Sequence, residues 1–206
     1  MHDDERVVAL TFDDGPSANT RRLLDLLAER DVRATFFLQG DHVVADPEAV
    51  RAIHAAGHGL ANHTWSHPHL TQLSPGEVDA EIARGADAVS EATGVVTEFF
   101  RPPFGDLDDD VLAAVGRHGE AAVLWDVDPA DWEADAPAAR TVQRVLAGVR
   151  PGSVVLMHDW QDSTVEAVGE VVDGLRAAGF RFVTVAELLA DRAVAGQVYA
   201  HGRSGE

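Results

Sequence analysis

The sequence predicts an α/β protein, a distorted and incomplete (β/α) barrel of about seven strand–helix units. Short apolar runs alternate with longer amphipathic stretches along nearly the whole chain, the pattern of a parallel sheet flanked by helices. About seven such units are present, which favours an incomplete barrel over a closed eightfold one. Four polar clusters, TFDDGP, NHTWSH, RPPFGD and VLMHD, each stand at or just after the C-terminal end of an expected strand. That edge of a parallel sheet is where such folds place their sites.

Taken in order, a strand over Val7–Phe12 ends in the turn signal Gly15-Pro16 and is followed by a helix over Thr20–Arg30. Ala34–Leu38 is the second strand, and Pro47–Ala56 the next helix, started by Asp46. Gly59–Asn62 is a strand. Pro75–Thr93 is a long helix whose Ser74 and Glu77 have capping-box spacing. Glu98–Arg101 and Asp108–His118 form a fourth unit, Ala121–Leu124 and Ala136–Val149 a fifth, and Val154–Met157 and Thr164–Ala178 a sixth. Arg181–Thr184 and Val185–Asp191 form the last. Gly57, Gly94 and Gly179 follow helices, as C-terminal caps do. The 206 residues read as one domain, 1–206, with a core over about 5–190 and a polar, loose tail from about 194 to 206.

Composition removes several functions. Cysteine is absent, which excludes disulfides, a cysteine nucleophile and thiolate ligands. All 16 basic residues are arginine, so a Schiff-base lysine and a phosphate-loop lysine are excluded too. A formal net charge of -19 and the lack of a basic patch argue against nucleic acid as a partner. No apolar run reaches the roughly 18–20 residues of a membrane span. The opening MHDDER is acidic and polar, not a signal peptide. Read as given, the chain is cytoplasmic; with a signal removed it is secreted. A monomer is expected.

The clusters suggest a chemistry. Asp13 and Asp14 are adjacent, and neighbours on a strand point to opposite faces. Two acids serving one site must therefore sit where the strand breaks up, at Gly15-Pro16. His63 and His67 are four apart; on a helical turn they share a face and converge on one metal ion. Asp14 or Asp13 completes a two-histidine, one-carboxylate site with positions open for water and substrate. Arg101, stiffened by Pro102-Pro103, is placed to grip a carboxylate bidentately. The WDVDPADW stretch supplies Asp126, Asp128 and Asp131 between two tryptophans, and Trp132 is costly to expose without purpose. His158 ends a strand; with Asp131 beside it, it is a candidate general acid.

These five motifs, TFDDG at 11–15, HTWSH at 63–67, RPPFG at 101–105, DVDPADW at 126–132 and VLMH at 155–158, stand in the order of carbohydrate esterase family 4. The chain resembles these polysaccharide deacetylases of the NodB-like fold over roughly residues 5–190. The resemblance implies Asp13 as catalytic base and Asp14, His63 and His67 as ligands of one divalent ion, zinc first and cobalt as alternative. It implies Arg101 as the residue positioning the base, and Asp131 as partner of His158, the general acid. Phe104 stands where the family usually has tyrosine; its backbone N–H is implied as an oxyanion donor, which a phenylalanine retains. Trp132 and Leu156 are implied as walls around the acetyl methyl. The expected activity is removal of N-acetyl groups from a GlcNAc-containing glycan such as chitooligosaccharide or peptidoglycan. The alternatives are O-deacetylation of acetylxylan, hydrolysis of a small amide or cyclic imide, or an inactive glycan-binding module. The other histidines read as structural or surface groups.

Overall fold

β1 (Val7–Gly15) is buried along almost its whole length because it runs through the middle of a parallel sheet. Such strands have helices or core on both faces and read as unbroken apolar runs. The computed structural model describes residues 5–202. After β1 come α1 (Thr20–Glu29), β2 (Thr35–Leu38), α2 (Gly40–Ala45), α3 (Pro47–Ala55), β3 (Gly59–Asn62), α4 (Pro75–Thr93) and β4 (Phe99–Phe100). Then follow α5 (Asp109–Arg117), β5 (Ala121–Val123), α6 (Ala138–Gly148), β6 (Ser153–His158), α7 (Asp162–Ala177), β7 (Arg181–Phe182), α8 (Val185–Leu189) and β8 (Val198–Tyr199).

The strands pair in parallel in the order β6-β1-β2-β3-β4-β5-β8, and β7 pairs with Val7 and Val8 of β1. Past β5 the chain comes back beside β6 through an isolated parallel bridge between Val127 and Val155. The sheet therefore curls into a barrel whose seam is joined by a bridge instead of a full ladder. This is the distorted, incomplete barrel expected from the sequence.

Period-two alternation on β1 sorts its side chains into two cores. Val8, Leu10 and Phe12 pack with Leu23, Leu27, Val50, Ile53 and Val168 of the surrounding helices. Val7 and Ala9 face the other way, into a cluster with Phe37, Ala61, Val123 and Val154 that Val185 and Leu188 of α8 complete. Phe36, fully buried against Phe12 with ring centroids 5.4 Å apart, anchors the outer layer. Truncating such a ring to alanine costs about 3–5 kcal/mol.

Two elements depart from the sequence reading. The six-residue α2 was not expected; it starts at Gly40 and docks on the loop after β3, with Gly40 and Asp41 N–H bonded to Thr64 and Trp65 carbonyls at 2.9 and 3.1 Å. The tail is not loose as far as residue 202. Val198–Tyr199 extends the sheet beside β5, His201 bridges to Ser153 of β6, and His201 and Gly202 are buried. Polar composition hid this, because the segment fills the seam of the barrel with backbone pairing more than with apolar side chains. Residues 203–206 of the expected tail lie outside the described residues.

Candidate active site

Asp13 continues the inward-facing series Val7, Ala9, Thr11, so alternation alone carries it to the interior. In register it lies beside His158 of β6. Asp14 would point outward, but the β1–β2 register shifts between Asp13 and Gly15, and Asp14 has φ 68°. This bulge re-aims Asp14 toward the same site. The break therefore falls inside the strand at Asp14, not at the Gly15-Pro16 turn where the sequence placed it. Gly15 keeps this turn close to Asp159: a Cβ there would sit 3.0 Å from its carboxylate, a tight contact.

His63 and His67 also converge, but not on a helical turn. Residues 63–67 form a loop in which Thr64 (φ 67°) and His67 (φ 60°) take left-handed backbone. Side-chain bonds hold it. Asn62 Oδ1 accepts from Thr64 N–H at 3.1 Å, and Glu81 of α4 accepts from the N–H groups of Trp65 and Ser66 at 3.0 and 2.8 Å. The helix can approach because residue 85 is glycine. A Cβ there would lie 2.8 Å from the Thr64 carbonyl oxygen.

Asp14 Oδ1 lies 3.2 Å from Nε2 of both His63 and His67. The ligand atoms of the three residues all fall within 4.8 Å of one another. His63 Nδ1 lies 2.7 Å from the Arg101 carbonyl. A carbonyl only accepts, so that nitrogen carries the proton and Nε2 of the neutral ring presents a lone pair. Asp14 Oδ1 is buried and has no hydrogen-bond partner among the described residues. The His63 lone pair and the carboxylate thus face each other, with His67 Nε2 at the same distance from Oδ1, an arrangement that a cation relieves; the donor set fits a divalent ion of the zinc type.

Arg101 is fully buried and donates to Asp13 Oδ1 at 2.7 Å and Thr11 Oγ1 at 2.8 Å, both from Nη1. Its other nitrogens bond the carbonyls of Val123 and Leu124 at 2.8 and 3.0 Å, and the guanidinium lies 3.9 Å from the centre of the Phe37 ring. The bidentate grip expected on a carboxylate is absent, because the backbone of β5 and the residue after it takes the rest of the fork. Burial lowers the Arg101 pKa and the Asp13 charge opposes it.

Asp131, with no solvent exposure, accepts from His158 Nδ1 at 2.8 Å, His158 N–H at 2.9 Å and Thr164 Oγ1 at 2.6 Å. Burial alone would lower the His158 pKa. The hydrogen bond and charge of Asp131, then the charges of Asp13 and Asp14, raise it to about 9.

A cavity of about 560 Å³ opens over these groups. Asp13, Asp14, His63, His67 and His158 line it, and so do Phe104, Trp132 and Leu156. Arg101 and Asp131 stand behind them. Phe104 itself has φ 61°, and its ring stacks on His69 at 4.0 Å and meets His67 edge-on at 4.6 Å. Trp125 and Trp160 line the cavity too, whereas Trp65 is turned away under Arg84. The sequence placed all four tryptophans near the site, and Trp160 does line it; sequence reasoning missed Glu81 and His42, whose Nδ1 lies 2.7 Å from the Asp14 carbonyl. Glu81 carried a signal: it sits on the stripe Val78, Ile82, Gly85 that α4 buries. His42 carried none.

A parallel half-closed barrel with a two-histidine, one-carboxylate group at its carboxyl edge, flanked by one buried Asp–Arg and one buried His–Asp pair, has the form of a metal-assisted hydrolase. The chain belongs to the polysaccharide deacetylase family, carbohydrate esterase family 4; the profile of that family, described as polysaccharide deacetylase, matches residues 1–123. A chitooligosaccharide deacetylase of Bradyrhizobium sp. is 39% identical over 199 residues, covering 89% of this chain and 90% of its own length. The peptidoglycan-N-acetylglucosamine deacetylase PgdA of Listeria monocytogenes is 36% identical over 193 residues, covering 93% of this chain but 41% of its own length. A family 4 carbohydrate esterase from Streptomyces lividans, solved in complex with acetate, superimposes with a TM-score of 0.85 at 39% identity, over 92% of this chain and 97% of that one.

Proposed function

We propose that this protein removes the N-acetyl group from GlcNAc units of a glycan, a chitooligosaccharide or peptidoglycan, with Asp14, His63 and His67 holding one divalent ion, zinc or cobalt. The observation that carries this reading is the pair of proton-handling groups beside the Asp14–His63–His67 group. Asp13 and His158 sit side by side on adjacent strands, each fixed by a separate buried partner. An ion bound there supplies Lewis acidity, acidifying water and polarising the acyl carbonyl.

The protein's own groups do the remaining work. Asp13, held by Arg101, accepts the proton of the attacking water. The Phe104 backbone N–H donates to the carbonyl oxygen as it gains charge. His158, charged at neutral pH, gives its proton to the departing nitrogen. An amine is a poor leaving group unless protonated, whereas an alcohol depends on this less, so a histidine held near pKa 9 suits an amide over an ester. Trp132 and Leu156 enclose the acetyl methyl, and the exposed aromatic faces around the cavity suit sugar rings.

The names of the relatives support the same substrates. The test is acetate release from N-acetylated chitooligosaccharides, peptidoglycan, acetylxylan and small imides, with and without chelator. Release from GlcNAc polymers, lost on chelation and restored by zinc or cobalt, is expected. Turnover that survives in a verified metal-free preparation, or is confined to xylan or imides, refutes the reading.

A further inference from the structure

Trp160 follows the VLMHD motif in the turn between β6 and α7; its ring lines the cavity, but its N–H has so far been given no role. Its indole Nε1–H donates to Asp14 Oδ2 at 2.9 Å. The other oxygen of the same carboxylate, Oδ1, faces His63 and His67 at 3.2 Å each and is the buried atom without a hydrogen-bond partner among the described residues. The two oxygens of Asp14 are thus divided between the indole and the ion site. Trp160 also stands between two hollows. Together with Asp14 and His67 it lines both the active-site cavity and a second one of about 560 Å³ that Ser17, His42 and Asp46 share. Its own backbone is tied down, its carbonyl accepting from Asn19 Nδ2 at 3.3 Å.

We infer that Trp160 is a positioning residue: its N–H occupies Asp14 Oδ2 and so restricts Asp14 to ligating the ion through Oδ1 alone. A carboxylate with both oxygens free can take two positions on a metal. With two histidines already present, the second oxygen would use a position that water or the acyl oxygen needs. Partners of this kind, one bond removed from the metal, typically change metal affinity or activity by about 10–100-fold when lost. This inference rests on the metal site of the proposed function but not on which acetylated substrate the site takes.

Two variants separate the N–H from the ring. Trp160→Phe keeps an aromatic wall and removes the donor. Trp160→His places Nε2–H where the indole N–H stood and removes the fused six-membered ring. At 42% exposure the position tolerates either change. Cobalt titration without substrate is the first readout, since four-coordinate cobalt absorbs visible light much more strongly than five- or six-coordinate cobalt. The phenylalanine variant is expected to bind one ion with a weakened band, and its kcat is expected to fall about 10–100-fold with KM little changed. The histidine variant is expected to keep most of kcat and to raise KM. A phenylalanine variant with the wild-type cobalt spectrum overturns the inference, whatever its activity. So does the reverse ranking, in which Trp160→Phe keeps kcat and Trp160→His loses it. A wild-type protein that binds no cobalt refutes the metal site itself, a separate failure that the titration reveals directly.

Discussion

Replacing Asp131 with asparagine should convert His158 from a cation into a neutral ring. Asp131 Oδ2 takes two donors, the His158 N–H at 2.9 Å and the Thr164 hydroxyl at 2.6 Å, while Oδ1 faces the ring Nδ1 at 2.8 Å. The backbone N–H cannot reverse its polarity, so the amide oxygen of asparagine must stay on that side. Its NH₂ then faces Nδ1, where an imidazolium would present a second donor. The charged ring loses both its counter-charge and its hydrogen bond, and burial pulls its pKa below 6.5. A divalent ion held at Asp14 would itself lower the ring's pKa, in native protein and variant alike, whereas the hydrogen bond and charge of Asp131, the largest of the raising influences, are lost only in the variant.

From about 9 in the metal-free native protein the His158 pKa should therefore fall by more than two units, and the alkaline limb of the pH–rate profile should move down with it. At pH 8 the acid form falls from about nine-tenths to about 3%, on the order of a 30-fold loss of rate, recovered in part near pH 6. The same shift acts on folding. A histidine whose pKa is raised stabilises the native state fully below pH 6.5 and loses that contribution as pH rises through about 9; here it amounts to about 3 kcal/mol in the metal-free protein. Paired pH–rate profiles and denaturation of metal-free protein at pH 6 and pH 10 measure both effects. An alkaline limb at the same pH in the variant would refute the assignment of His158, Asp131 or both.

Three further outcomes are expected. Asp13→Asn should still bind one ion, since the three proposed ligands remain, but lose about 10²–10⁴-fold in turnover; it should also lower Tm, because Arg101 is left buried without its anion. Asp14→Ala should instead lower metal content, which elemental analysis of the two variants side by side will show, and loss of the ion from Asp13→Asn reverses the assignment. Gly85→Ala should raise helix propensity by about 1 kcal/mol and yet weaken metal binding, because a Cβ there meets the Thr64 carbonyl; unchanged zinc affinity would show that the loop carrying His63 and His67 is not braced by α4. Glu120, buried and pushed up to about 8, accepts from Asn62 Nδ2 at 3.0 Å and pairs with the Thr97 hydroxyl at 2.5 Å. A carboxyl raised in this way costs stability progressively as pH rises from 4.5 through about 8. Glu120→Gln should remove that slope in pH-dependent denaturation, and a slope that persists would mean another group causes it.

The sequence showed the fold where elements are long and periodic, and lost it where backbone alone decides. The apolar run of β1 and the caps at Ser74 and Asp46 were legible, and the structure shows the strand and the expected capping hydrogen bonds. The paired histidines were recognised but given the wrong local structure, because no side-chain pattern announces left-handed backbone at Thr64 and His67. Asp13 and Asp14 posed the same problem. Their adjacency showed that the strand must break, but only the register reveals that the bulge is at Asp14. α2 is too short to show a period, and β8 pairs two residues within a polar stretch. Arg101 read as one charge near an acid, whereas its buried setting comes from Thr11, Phe37 and β5, three separate parts of the chain.

The pairing of β1 with β6 also governs how the protein can be made. Thr11 bonds the Val155 carbonyl across 144 residues of sequence. Of this sheet, the first strand to be made therefore waits for one of the last, and until then it presents an apolar edge with unpaired N–H and C=O groups. Its other neighbour, β2, follows within a few tens of residues and can cover one side early. The β6 side stays bare while the chain across this 144-residue separation is made. Folding should accordingly be slow for the size of the chain, as expected where distant pairings dominate. Polypeptides stalled or cut before residue 153 should aggregate, and they should lack the acid half of the site altogether, since Asp13 gains His158 as a neighbour only when β6 arrives.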